Sequence, residues 1–213
     1  EGQPRGKTEA WYVIAAEPGA KLVIGVKTDA TGEQVGDAIR ANTLEDLLVY
    51  AEVAAGDVLF IPAGTIHALG PGVLVYEIQQ SSDTTYRLYD WGRVGLDGKP
   101  RDLHIDKSLK VSQIGSLPPI RHSAGETGAS VALIESPFFT TTLHQPGAGS
   151  IELDTKGQAF HVLTCIEGTA EVHVVGSPAL RVASGRTVFI PAALGRYTLT
   201  GQAKVLRSSQ AAG

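Results

Sequence analysis

The sequence predicts a mainly β protein made of two barrel- or sandwich-like units, and three observations predict it. Short β-branched and aromatic runs recur between Gly- and Pro-bearing turns along most of the chain. AGDVLFIPAGTIHALG at 55–70 is echoed by SGRTVFIPAALGRYTL at 184–199, so one hairpin module occurs twice. The helical patterns are few and short, and two of them cluster at about 31–50, as an excursion on a β framework would. The predicted organisation is a first unit over 1–116, a linker over 117–128 and a second unit over 129–213.

Glu1–Arg5 is polar with Gly and Pro and reads as a loose tail. Trp11–Ala15 and Lys21–Val26 are strands separated by a turn at Glu17-Pro18-Gly19. Thr31-Gly32-Glu33-Gln34 is a capping-box pattern, with Thr31 as N-cap and Gln34 reaching back, and it predicts a helix to about Ala41. Asn42-Thr43-Leu44-Glu45 repeats the signal and predicts a second helix from Leu44 to about Tyr50. Strands Val58–Ile61 and Val73–Gln79 flank the Pro62-Ala63-Gly64 turn and His67. Leu103–Lys110 is a short helix with Asp102 as its cap. Leu117-Pro118-Pro119 opens the linker. Beyond it strands are expected at 130–135, 138–144, 150–153, 160–167, 170–175, 187–190 and 197–200.

Composition narrows the function classes. Hydrophobic residues make up 43% of the 213 residues, enough for a packed core. The net charge of −4 argues against broad nucleic-acid binding, which wants a basic surface, but leaves room for one phosphate group met by two or three local cations. No apolar run approaches membrane length and no signal-peptide pattern opens the sequence, so a cytoplasmic protein without membrane partners is expected. The single cysteine, Cys165, lies in an apolar strand and reads as a buried, inert thiol. There is no methionine, even at the start, and the chain reads as the remainder of a longer polypeptide.

Several side chains could carry chemistry. A lone His67 beside a glycine turn reads as a core or rim histidine, and Glu9 alone as an exposed tail glutamate. Together they offer an oxygen and a nitrogen donor suited to zinc or a similar ion. Lys7, two residues before Glu9, shares its face by strand alternation. Glu77 shares a face with Val73 and Val75, as an acid/base at a barrel mouth or as an outward polar residue. Arg87 keeps its charge at any working pH and could stabilise an oxyanion, or could sit in a barrel salt bridge. Arg93 is a weaker cation candidate and reads as a surface residue, and His104 reads as a surface or helix-capping residue. His161 and His173 could approach each other across strands.

Two motifs carry a family resemblance. GKTEAWYVI at 6–14 and FIPAGTIHALGPGVLVYEIQQSSDTTYR at 60–87 resemble, in order and separation, the hallmark segments of type I mannose-6-phosphate isomerases. The resemblance implies a cupin-type β-barrel followed by a second, degenerate cupin-like barrel. It implies zinc as cofactor, with Glu9 and His67 as two of its ligands and two more from an upstream Gln-x-His-Pro segment absent before Lys7. It implies a small sugar phosphate as substrate, Arg87 and Lys7 as active-site cations, and Glu77 as a site carboxylate. The alternative within the same fold is a non-catalytic sugar-binding or regulatory cupin.

Overall fold

Alternating apolar side chains set the first sheet. In β1 (Glu9–Ala16), Trp11 and Val13 turn inward and are almost fully buried. The computed structural model describes residues 2, 5–95, 97–123, 125 and 127–211. The chain divides into two units, Glu1–Arg121 and His122–Gly213.

The first unit continues with β2 (Lys21–Val26) and α1 (Gly32–Arg40). The predicted capping box is present: Thr31 Oγ1 accepts from the Gln34 backbone and Gln34 Oε1 accepts from the Thr31 backbone. The helix expected over Leu44–Tyr50 is not formed. Leu44–Leu47 makes one 3-10 turn without a side-chain cap, and β3 (Leu48–Glu52) then pairs antiparallel with β2. The ladder outweighs local helix propensity here because Leu48 packs into the core that also holds Val23 and Val26. β4 (Asp57–Ile61), β5 (Ala68–Leu69) and β6 (Val73–Gln79) follow. α2 (Ile105–Val111) starts two residues later than predicted, and its N-cap is His104 rather than Asp102, with no side-chain capping bond. β7 (Ile120–His122) occupies part of the stretch expected to be linker. Both that stretch and the expected tail include residues outside the described set.

Among the described residues, β6-β1-β4-β7 form one sheet and β3-β2-β5 another. Trp11, Val13, Leu22, Val53, Leu59 and Ile61 fill one core cluster. α1 and α2 cover a second, around Val26, Val35 and Leu44. The Pro62-Ala63-Gly64 turn is tied to the end of α2: Gln113 N donates to Gly64 O at 2.8 Å and Gln113 Nε2 to Ala63 O at 2.9 Å. Gly64 has φ +89°, and a Cβ there would lie 2.5 Å from Val111 O, so only glycine fits.

The second unit holds β8 (Ala129–Glu135), β9 (Phe139–Gln145), β10 (Gly147–Asp154), β11 (His161–His173), β12 (Leu180–Ala183), β13 (Thr187–Ile190), β14 (Arg196–Gly201) and β15 (Ala203–Gln210). Its main path runs β10-β14-β11-β15-β9-β8, with β12 and β13 also on β11. The two strands expected over 160–175 are one, β11, with a register shift between Cys165 and Glu167. His161 and His173 therefore sit at opposite ends of one strand and do not approach each other. β12 and β15 were not expected. Cys165 is fully buried, and burial pushes its thiol pKa up. Both copies of the echoed segment form a strand ended by a proline turn, but Arg196, opposite His67 in the repeat, is 91% exposed and points to solvent. No helix among the described residues is long and apolar enough to cross a membrane.

Two predictions follow from this packing. Gly64→Ala should lower stability by about 2 kcal/mol, read as a drop in Tm, because the substitution is strained and displaces a backbone carbonyl. His144 and His161 are buried, and burial followed by the Arg207 charge pushes both pKa values down to about 4. An unfolded chain takes up those protons from about pH 6.5 downward. Stability is therefore complete above that pH and lost as pH falls towards 4. Urea midpoints between pH 7 and 5 should fall by the equivalent of about 2 kcal/mol per histidine, and a His144→Asn chain should show a shallower slope.

Candidate functional site

β1 delivers the central group. Glu9 pairs with Ile61 of β4 and Gln79 of β6, and its side chain is 1% exposed. It is therefore not an exposed tail glutamate. A carboxylate so buried needs compensation. His67 Nε2 lies 2.7 Å from Glu9 Oε1, and the Lys7 ammonium contacts Glu9 Oε2. Burial pushes the Glu9 carboxyl up, but the bonds to His67 and Lys7 outweigh it and hold its pKa below the usual value. Burial lowers His67 and Lys7, yet Glu9 dominates and leaves both raised.

The surrounding chain fixes the imidazole. His67 Nδ1 donates to Thr65 O at 2.8 Å, and the ring meets Trp11 edge-on at 5.3 Å between centroids. With Nδ1 committed to a carbonyl, Nε2 is the nitrogen aimed at the carboxylate. Thr8 Oγ1 accepts from Ala63 N at 3.2 Å, so the residue just before β1 holds the turn that precedes His67. Glu77 stands opposite Trp11, on the same face; it accepts from Trp11 Nε1 at 3.1 Å and from Lys7 at 3.4 Å. Its side chain is 37% exposed, and it shares the face of β6 that carries Val73 and Val75.

Lys7, His67 and Arg87 line one cavity of about 560 Å³, together with Arg5, Arg93 and Arg101. Arg87 has no carboxylate partner among the described residues: its guanidinium donates to Asp102 O at 3.2 Å. Arg93 and Arg101 are both spent on Asp90, whose pKa falls to about 2, the bonds from Arg101 and then Arg93 outweighing burial. Arg93 also lies over the Trp91 ring. The sequence missed His104, whose Nδ1 accepts from Arg87 N at 3.3 Å while its own N–H donates to Arg87 O at 2.8 Å. It anchors the backbone of Arg87 rather than the helix, a role no local pattern signals.

As metal donors, Glu9 and His67 fit a zinc-type ion. The carboxylate oxygen and imidazole nitrogen face each other, and the second ring nitrogen is oriented by a carbonyl, as ligating histidines require. No group of three or more His, Cys, Asp or Glu side chains converges on a metal position among the described residues.

Residues 130–210 match the family described as mannose-6-phosphate isomerase, cupin domain. The chain is 33% identical over 207 residues to the mannose-6-phosphate isomerase ManA of Bacillus subtilis, covering 95% of this chain and 64% of that protein. It is 34% identical over 206 residues to the mannose-6-phosphate isomerase of Streptococcus mutans, with the same coverage. It thus spans 64% of the length of these curated relatives. Its fold matches the crystal structure of the mannose 6-phosphate isomerase from Bacillus subtilis with a TM-score of 0.78 at 26% identity, over 95% of this chain and 64% of that one. A mannose 6-phosphate isomerase bound with zinc and yttrium shares the fold, with a TM-score of 0.71 at 15% identity over 98% of this chain and 67% of that one.

His67→Ala should remove half of the compensation of the buried Glu9 carboxylate and lower stability by about 2 kcal/mol in urea unfolding. Adding Glu9→Gln to that chain should recover part of the loss. A double variant as unstable as the sum of both singles would mean the two side chains are not coupled.

Proposed function

We propose that this chain is a mannose-6-phosphate isomerase, as its similarity to that family suggests, and that it interconverts mannose 6-phosphate and fructose 6-phosphate by moving a proton between C2 and C1 through a cis-enediol. The observation that carries this reading is the cavity itself. It sets Arg87, a guanidinium without a carboxylate partner among the described residues, on the same hollow as Lys7 and His67. Its volume suits a hexose phosphate.

Each residue has a role the chemistry requires. Arg87 stabilises the negative charge that grows on the sugar oxygens as the C2 proton leaves, without giving up a proton of its own. Lys7 donates to sugar oxygens from beside Glu9 and Glu77. Glu77 takes the proton from one carbon and returns it to the other; it is the carboxylate of the site that keeps solvent exposure. Glu9 and His67 would hold a zinc ion, and the ion would supply polarisation of the sugar oxygens. A cytoplasmic location belongs to the same proposal.

The test is an isomerase assay of the protein and of its Arg87→Ala form. The variant should lose about 10²- to 10³-fold in kcat with a smaller change in KM. Equal rates would remove Arg87 from the mechanism. Saturable binding of mannose 6-phosphate without turnover in the metal-loaded protein would make it a sugar-phosphate binding module.

A further inference from the structure

One buried face of the second unit carries a cation, Arg207, with no carboxylate paired with it among the described residues. Val205, Arg207 and Ser209 alternate onto one face of β15. Their register partners are His144, Thr142 and Thr140 on β9, and Cys165, Leu163 and His161 on β11. That face is buried, since Leu163, Cys165 and Val205 belong to the core of the unit, and the opposite face of β15, with Leu206 and Ser208, is buried as well. The Arg207 guanidinium donates from Nη2 to Thr142 Oγ1 at 3.1 Å. Its Nε is buried without a partner, and no carboxylate pairs with it among the described residues. Asp154, whose charge acts on His161, is engaged elsewhere, 3.6 Å from Arg196 Nε and 2.7 Å from Lys156 N.

Two histidines flank Arg207 in adjacent rows of the sheet. His144 is 2% exposed and His161 is 5% exposed. His144 Nδ1 lies 2.7 Å from Ser130 Oγ, and His161 Nδ1 lies 2.7 Å from the Tyr197 hydroxyl. When those hydroxyls donate, each neutral ring carries its proton on Nε2. His144 Nε2, like Arg207 Nε, is buried without a partner. Orphaned buried donors are rare in folded proteins and costly, and a buried guanidinium without a counter-charge costs more. An orphaned imidazole N–H beside the orphaned N–H of a guanidinium, on one face, is a donor pair suited to an oxyanion.

We propose that the second unit binds a small oxyanion of the phosphate class against Arg207, with His144 and His161 as neutral N–H donors. The partial exposure of Arg207 gives the ion its way in. The site shares no residue with the cavity around Lys7 and Arg87 and does not depend on the function proposed for it. Free phosphate and the phosphate group of a phosphorylated metabolite present the same oxygens to these donors.

The experiment uses the whole chain in chloride buffer at constant ionic strength. Long-range ¹H–¹⁵N imidazole spectra are recorded while inorganic phosphate is titrated in. The Nε2 resonances of His144 and His161 should move saturably, and Tm should rise by about 3 °C near saturation. Arg87→Ala should keep both imidazole responses, which separates this site from the other cavity. Arg207→Met should lose them, and in chloride alone should be at least as stable as the parent, because an uncompensated buried charge is gone. A parallel titration with a hexose 6-phosphate names the source: saturation at lower concentration than phosphate assigns the ester, and at equal or higher concentration the free ion. Imidazole resonances that stay fixed at high phosphate would overturn the proposal, as would an unchanged response in Arg207→Met. Should that variant fail to fold, the titration of the parent chain decides alone.

Discussion

The buried carboxylate of Glu9 is the constraint on which the first unit depends. At 1% exposure it has no water to solvate it, so the fold must bring positive charge to both of its oxygens. The β1–β4 register places Glu9 opposite Ile61, at the edge of the Pro62-Ala63-Gly64 turn, and that turn swings His67 back onto Oε1. Gly64, which alone tolerates the close pass of Val111 O, and Gln113, which holds two carbonyls of the turn, both serve this placement. His67 ends with a carbonyl on one nitrogen and a carboxylate near the other, two acceptors facing one ring. Such an arrangement calls for a cation between imidazole and carboxylate, whether a second ring proton or a metal ion.

The two units pose opposite electrostatic problems. In the first, a buried anion gathers cations around it. In the second, a partly buried cation, Arg207, has histidines, hydroxyls and leucine around it and no carboxylate paired with it among the described residues. The histidines cannot offset it, because an imidazole carries no negative charge, and burial and the guanidinium hold both rings in the neutral form. The chain repeats a hairpin, yet the position of His67 falls on Arg196, which faces solvent. The polar interior of the second unit is therefore built from other strands, β9, β11 and β15, and is not a worn copy of the first site.

How much of this was legible follows from which forces write themselves into local sequence. β1, β2, β4 and β6 were readable because apolar alternation and β-branching reflect one-sided burial, and α1 because its cap is a side-chain contact three residues apart. Glu9, His67, Lys7, Glu77 and Arg87 were found through two motifs; the structure brings the first four into direct contact and sets Arg87 on the cavity wall with Lys7 and His67. β3 was misread because Asn42-Thr43-Leu44-Glu45 imitates a cap, while the ladder that overrides it lies with β2, more than twenty residues upstream. β15 was overlooked because its inward positions hold Arg207 and Ser209, so the alternation that marks a half-buried strand is missing where the inside is polar. The role of His104 depends on a backbone contact seventeen residues away, which no periodicity records.

The arginines of the first cavity show how a fold sorts charges that composition counts alike. Asp90 draws Arg101 and Arg93 into one ion cluster, and its carboxyl is held near the acid extreme by them. Their charges are largely neutralised before any ligand arrives. Arg87 is anchored differently: a neutral carbonyl, Asp102 O, receives its guanidinium, and His104 bonds its backbone on both sides. Geometry is fixed without cancelling charge. A group meant to meet a developing oxyanion needs that combination, since a carboxylate partner would hold it in place only by competing with the substrate. Among Arg87, Arg93 and Arg101, the anchoring chemistry, more than the distance from the cavity, separates the candidate catalytic cation from its structural neighbours.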